Sequence, residues 1–152
     1  MEVLKAPQAF DQRCHLIGTA RILNSFPNFG CSGGLGEAAA WLCLREDIYI
    51  SLVSQQPLKT RLENYHNSIT FLRNDDVSWA NKIVFLLAKA LSCAFHPESN
   101  VDAAALQQIS EEIEDWERNK PSSFQPILFT SPSREEGRAF PQIWMLLPFH
   151  GK

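Results

Sequence analysis

The sequence contains no run of basic residues and no excess of positive charge. Its 152 residues include 14 Lys and Arg against 17 Asp and Glu, which gives a formal net charge of −3. Proteins that bind nucleic-acid phosphates concentrate lysine and arginine on one surface. We therefore expect no direct binding of this chain to DNA.

Long hydrophobic runs and closely spaced cysteines are also missing. The longest uninterrupted apolar run covers residues 38–44, far short of the roughly 20 residues that cross a bilayer. The amino-terminal MEVLKAPQAF has neither the basic nor the apolar part of a signal peptide. No two of the four cysteines form a C-x2-C metal knuckle, and Cys43 stands among apolar residues. These absences predict a soluble intracellular protein with reduced thiols, no metal and no other cofactor.

Helical periodicity dominates what is present. Apolar residues recur at helical spacing in four segments, and a proline follows each of them. The predicted helices cover residues 9–25, 35–56, 77–95 and 101–119. No internal repeat is visible. The pattern predicts an all-α protein, with residues 1–152 forming one irregular helical bundle. The length fits one domain or a piece of a larger helical domain.

Two segments, residues 58–76 and 121–152, show weaker helical periodicity. Residues 58–76 are mixed and polar, so we expect a surface connection with one short extended piece at 69–72. Asp75 or Asp76 is placed to cap the helix that follows, because a carboxylate accepts hydrogen bonds from free N–H groups of a first turn.

The carboxyl-terminal part, residues 121–152, combines prolines with more aromatic residues than a disordered tail contains. Residues 140–147 are predicted to form a helix with Pro141 in its first turn. A segment this apolar needs a surface to pack against. Residues 140–149 are therefore also a candidate docking segment of an adaptor protein, which is one alternative function.

The central predicted helix, residues 35–56, has an unusual charge pattern. At 100° per residue its large hydrophobic residues share one broad face, formed by Leu35, Ala38, Ala39, Leu42, Tyr49, Ile50 and Val53. Arg45 and Glu46 fall inside that face, whereas Asp47 points away from it. This helix is therefore expected to be either buried with its charges paired or a docking surface. For Arg45 and Glu46 we favour a structural ion pair, or an arginine bonded to loop carbonyls, over an effector or partner site.

The loop before this helix matches the G-x-S-x-G pattern of hydrolases at Gly30–Gly34, with Ser32 as the nucleophile. That chemistry needs a strand before the serine and an acid and a histidine on later strands, and none of these is predicted here. A small serine hydrolase remains an alternative function that the context disfavours. The same glycines do not make a phosphate loop, because Glu37 would repel a phosphate.

Two further sets of residues have a functional and a structural interpretation. Cys93 and His96 lie three positions apart at a helix end, but the sequence offers no further metal ligands or oriented base, so a buried thiol beside an exposed histidine is favoured. The tryptophans occur once per predicted helix, at Trp41, Trp79, Trp116 and Trp144. They favour core anchors over an aromatic ligand box.

The segment AAAWLCLREDIYISLVSQQPL resembles the regulatory, or middle homology, region of fungal zinc binuclear cluster transcription factors. A helix with the matching residues Trp41, Leu44, Arg45, Asp47, Ile48 and Tyr49 is a landmark of that region. Three later segments fit in the same order, namely WANKIV from Trp79, Trp116 followed by Pro121, Phe124 and Pro126, and PQIWML from Pro141. The landmarks extend over most of the chain.

The resemblance implies an all-α, non-catalytic regulatory module in the nucleus that modulates transcription by RNA polymerase II. The C-x2-C-x6-C cluster with which family members bind zinc and DNA has no counterpart here, so neither zinc nor DNA contact is implied for any residue of this chain. The chain is then expected to be a fragment or a truncated relative. Its implied partners are the rest of a transcription factor or other proteins, a small-molecule effector and a second copy of the chain. The residues singled out for structural or effector contacts are Trp41, Arg45, Glu46, Tyr49 and Trp79.

Overall fold

The computed structural model describes residues 18–26, 31, 33–95 and 103–145. Its helices are α1 (residues 18–25), α2 (Gly34–Ser54), α3 (Asp76–Ala94) and α4 (Ala103–Asn119), and its strands are β1 (Leu128–Thr130) and β2 (Gln142–Trp144). Short 3₁₀ turns cover Leu62–Tyr65, Ile69–Leu72 and Ser122–Phe124. This mostly helical composition confirms the all-α class. The predicted helical residues 9–17 and 101–102 lie outside the described ranges.

The limits of the two central helices follow from local chemistry. α2 begins after Gly33, whose φ of 81° is in a region that favours glycine, and it ends at Gln55 in the left-handed conformation. α3 begins after Asp75, whose side chain accepts a hydrogen bond of 3.0 Å from the backbone N–H of Ser78. The predicted aspartate cap is confirmed at Asp75.

Of the two alternatives predicted for the apolar face of α2, burial with paired charges is wrong. Leu35, Leu42, Tyr49 and Val53 expose 86, 60, 64 and 70% of their surface. The buried face lies on the opposite side and consists of Glu37, Ala40, Trp41, Leu44, Asp47, Ile48 and Ser51. Both sides of α2 carry apolar residues, so its periodicity alone does not say which side is covered.

The segment between α2 and α3 is not a polar surface connection. Ile69–Leu72 forms a 3₁₀ turn where an extended piece was predicted, and Tyr65, Ser68 and Thr70 are buried. The hydroxyl of Tyr65 donates a hydrogen bond of 2.7 Å to the carbonyl oxygen of Ala40 on α2. The turn residues therefore complete the core, because their polar atoms find partners on the buried face of α2.

α3 packs between α2 and α4. Its buried residues are Ser78, Asn81, Phe85, Leu86, Ala88 and Leu91. The main core joins Trp41, Leu44, Tyr65 and Phe85, with the ring centroids of Trp41 and Tyr65 5.0 Å apart. By length and composition α3 could also cross a membrane, with a mean hydropathy of 1.3. Here it is the central helix of the bundle.

α4 buries fewer residues than α2 or α3. Ile109 is its buried residue, and the Nε1–H of Trp116 donates a hydrogen bond of 3.0 Å to the carbonyl oxygen of Trp79 on α3. An ion pair of 2.6 Å joins Lys89 to Glu112. The rest of α4 faces solvent, as its many acidic residues predict.

The predicted helix at residues 140–147 is wrong. Within its described part, Gln142–Trp144 forms strand β2 and pairs antiparallel with β1, with Leu128 opposite Trp144 and Phe129 opposite Ile143. The local sequence does not show this pairing, because the backbone partners of β2 lie about fifteen residues upstream. Residues 146–147 lie outside the described part of the chain.

Candidate effector site between α2 and α3

Arg45 links the two central helices. Its Nη1 donates a hydrogen bond of 3.2 Å to the carbonyl oxygen of Trp41, and its Nη2 donates one of 2.7 Å to Oδ1 of Asn81 on α3. The side chain is half-buried, and this burial lowers the pKa of Arg45 below its usual value. Both acceptors are neutral, and the ion pairs found among the described residues do not include Arg45. These two bonds use two of the five N–H donors of the guanidinium group.

A chain of hydrogen bonds leads from Arg45 to a buried carboxylate. Nδ2 of Asn81 donates to Oγ1 of Thr70 at 3.3 Å, and Oγ1 of Thr70 donates to Oε1 of Glu37 at 3.0 Å. The hydroxyl of Ser68 also donates to Glu37. The network therefore ties α2, the second 3₁₀ turn and α3 together through polar side chains.

Glu37 is stabilised in its charged form. Burial alone would raise its pKa, but hydrogen bonds from Ser68, Thr70 and Trp41 outweigh burial and place the pKa of this carboxyl below its usual value. The indole N–H of Trp41 lies 3.4 Å from Oε1 of Glu37. The protein's own donors thus hold this carboxylate, although only 6% of its residue surface is exposed.

A cavity of about 400 Å³ opens beside this network. Its lining residues come from α2, the second turn and α3, and they are Gly34, Glu37, Ala38, Trp41, Arg45, Thr70, Arg73, Asp75, Val77, Ser78 and Asn81. A Cβ built on Gly33 would lie 3.8 Å from Oε2 of Glu37 and 3.9 Å from Nη2 of Arg73, so these two groups border the same end. The volume falls in the range of small-molecule sites.

The charges around this cavity are unevenly satisfied. The carboxylate of Asp75 accepts hydrogen bonds from the backbone N–H and the hydroxyl of Ser78, and the backbone bond lowers its pKa. Glu37 is bonded as described above. Arg45 lines the cavity and takes part in none of the ion pairs found among the described residues. The arrangement can therefore accept a small ligand that brings a carboxylate or another hydrogen-bond acceptor to Arg45.

The structure separates the residues that the sequence singled out. Trp41 and Arg45 meet at the cavity, and Trp41 also contacts Tyr65 within the core. Glu46 and Tyr49 are exposed and do not line the cavity. Trp79 lies between α3 and α4, where its ring centroid is 6.2 Å from that of Trp116.

No common aromatic box forms from the described tryptophans. Trp41 lies in the core, Trp79 and Trp116 form their own pair, and Trp144 is on the exposed hairpin strand β2 rather than on a helix. Among the described residues, no group of three or more His, Cys, Asp or Glu side chains is placed to hold a metal ion. Ser32 and His96 lie outside the described ranges.

Sequence reasoning did not single out the other members of the network. Glu37 lies on the same side of α2 as Trp41 and Leu44, at helical spacing, and this register was the available signal. Asn81 stands inside the WANKIV segment but was not singled out. Thr70 gave no signal, because its role depends on a turn that periodicity does not predict.

Comparisons of the chain with protein-family models, with curated proteins and with solved structures find no match.

Proposed function

We propose that this chain is a non-catalytic regulatory module of a fungal transcription factor that modulates RNA polymerase II transcription without contacting DNA itself. The observation that supports the proposal is the place of the landmark residues in the fold. Arg45 and Asn81, from two separate landmarks, bond to each other across α2 and α3. Trp79 and Trp116, from the second and third landmarks, join α3 to α4. The resemblance thus rests on residues that hold one helical unit together.

The polar network suggests how such a module responds to a signal. A ligand that takes over the bonded Nη1 and Nη2 donors of Arg45 competes with the carbonyl oxygen of Trp41 and with Oδ1 of Asn81. Since Asn81 also reaches Glu37 through Thr70, a change at Arg45 alters the junction of three elements. A ligand shifts this junction only to the extent that it binds one arrangement better than the other. The cavity beside Arg45 is therefore the proposed effector site.

A transcription reporter tests the regulatory role. The full chain is placed between an unrelated DNA-binding domain and a constitutive activation domain, and transcription in fungal nuclei is compared with that from an unrelated helical insert of equal length. We expect transcription from the reporter to differ between the chain and the unrelated insert. The Arg45→Met variant is expected to alter the size of that difference. Arg118→Met is the matched control, because the Arg118 side chain is 69% exposed on α4. Output equal to that of the unrelated insert would contradict the proposal.

A gel-shift titration tests the absence of DNA contact. The isolated chain is titrated against CGG-containing duplexes at physiological salt. We expect no specific shift, since the net charge is −3 and affinity for DNA depends on concentrated cations. Tight, sequence-specific binding would contradict this part of the proposal.

A further inference from the structure

The exposed side of α2 carries a regular hydrophobic stripe. The residues Leu35, Ala39, Leu42, Glu46, Tyr49 and Val53 follow one another at spacings of four, three, four, three and four along α2. This is the a/d spacing of a coiled coil, over nearly three heptads. Apart from the half-buried Ala39, every member is exposed, and Leu35 exposes 86% of its surface. We name these six residues the α2 stripe.

The α2 stripe has no structural task in the described part of the chain. The core and the polar network use the opposite side of α2, where Leu44 and Asp47 are buried. A sustained apolar stripe on an exposed helix is a typical docking surface for another helix. Its spacing specifies a helical partner that crosses α2 at the shallow angle of a coiled coil.

The single charge in the stripe selects the partner. A second copy of this chain is a poor occupant, because parallel in-register pairing would set Glu46 against Glu46. Antiparallel pairing about the middle of the stripe would set Glu46 against Leu42. Either arrangement buries a carboxylate without a cation. Arg45 does not compensate for it, since its guanidinium group is held by Asn81 and by the carbonyl of Trp41.

We infer that the α2 stripe docks an amphipathic helix of a different protein, one with apolar residues at alternating three- and four-residue spacing and a lysine or arginine opposite Glu46. Ala39 leaves room for a large side chain of that partner. None of the six stripe residues lines the cavity, so this inference stands independently of the proposed function. A basic residue at a single seam position also fixes the register of the pair.

Labelled helical peptides as long as α2 test the inference against the full chain by fluorescence anisotropy. Each peptide has six seam positions. One version carries lysine at the fourth position, which faces Glu46 in a parallel pair, and another carries it at the third, which faces Glu46 in an antiparallel pair. Leucine occupies the remaining seam positions, and matched peptides carry glutamate in place of lysine. We expect one lysine peptide to bind roughly tenfold more tightly than its glutamate counterpart at low salt.

Charge reversal and a matched pair of leucines sharpen the test. Glu46→Lys is expected to invert the preference, so that the glutamate peptide binds better. Leu35→Asp is expected to abolish binding, whereas Leu72→Asp is expected to leave it unchanged, although both leucines are 86% exposed. Circular dichroism checks that each variant keeps its helix content.

Three outcomes would overturn the inference. Equal binding of lysine and glutamate peptides would remove the role of Glu46. Binding that survives Leu35→Asp would place the peptide elsewhere. A dimer of the unliganded chain in sedimentation, abolished by Leu35→Asp, would identify a second copy as the occupant.

Discussion

At the scale of single residues, buried carboxylates determine how loops attach to α2. Oδ2 of Asp47 accepts hydrogen bonds from the backbone N–H groups of Lys59 and Thr60, at 2.8 and 2.7 Å. Asp47 and Thr60 are both buried. Without this acceptor the two N–H groups would lose their partner where water has little access, which is costly. Asp47 therefore holds the loop at residues 59–60 against α2.

Replacing Asp47 tests this role. We expect Asp47→Ala to lower the free energy of unfolding by about 1–3 kcal/mol, because two backbone donors lose their acceptor. Urea unfolding followed by tryptophan fluorescence measures the change. Glu46→Ala is the control, since its side chain is exposed and its effect should stay within about 0.5 kcal/mol. Equal effects of the two substitutions would show that Asp47 does not hold the loop.

Glu37 makes stability depend on pH. Its folded pKa lies below the ordinary value of 4.5, so its charged form stabilises the folded state above that pH. This contribution is lost as the pH falls below the ordinary value and through the folded pKa. Glu37→Gln removes the titration.

We expect Glu37→Gln to be less stable than the unmodified chain near about pH 6, and the gap to narrow toward about pH 3 as Glu37 itself becomes protonated. Urea unfolding at a series of pH values measures both proteins. A gap that stays constant over this range would show that the charge of Glu37 contributes nothing. The conservative change retains the size of the side chain, so a cavity does not obscure the result.

At the scale of elements, the hairpin formed by β1 and β2 contributes little to the core. Phe129, Ile143 and Trp144 expose 57, 51 and 65% of their surface. An isolated two-stranded sheet is marginal in water. The described part of the tail therefore leaves its large apolar residues uncovered, and residues 146–149 of the predicted docking segment lie outside the described part of the chain. The adaptor alternative stays a prediction.

Truncation separates the hairpin from the bundle. We expect a chain ending after Pro126 to keep the urea midpoint of the complete chain, because it retains the contact of Phe124 with Trp116. Circular dichroism and tryptophan fluorescence follow the unfolding. As a control, ending the chain after Asn100 removes α4 and should lower the midpoint. A marked loss of stability on removing only the hairpin would assign residues 127–152 to the core.

At the scale of the whole molecule, the buried residues are concentrated on α2, α3 and the turn between them. The core lies between α2, α3 and the first 3₁₀ turn, where Leu44 and Ala88 are fully buried. α4 contributes Ile109, and both hairpin strands are largely exposed. Local stability should follow this gradient, since regions with few buried apolar contacts open most easily.

Amide hydrogen exchange with mass spectrometry tests the gradient. We expect the slowest exchange in peptides from α2 and α3, faster exchange in α4, and the fastest in β1 and β2. Partial opening of α4 breaks fewer buried contacts than opening of α3. Uniform protection across these elements would mean that the molecule unfolds only as a whole.

The sequence by itself determined the elements that depend on local chemistry. The prolines and the Asp75 cap restrict the helix ends within a few residues, and the two central helices and the all-α class follow from periodicity. Arg45 stood out because a charge among apolar positions is visible in the sequence. The hairpin was missed because strand pairing joins residues that are distant along the chain.

Only the tertiary structure decided which side of α2 is buried. Two apolar sides compete on that helix, and the side with fewer large hydrophobic residues is covered because its polar members find partners. Asp47 bonds the loop at residues 59–60, and Glu37 bonds Ser68 and Thr70. These hydrogen-bond partners are distant in sequence and come together only in the folded chain. Hydrophobic periodicity therefore cannot predict them.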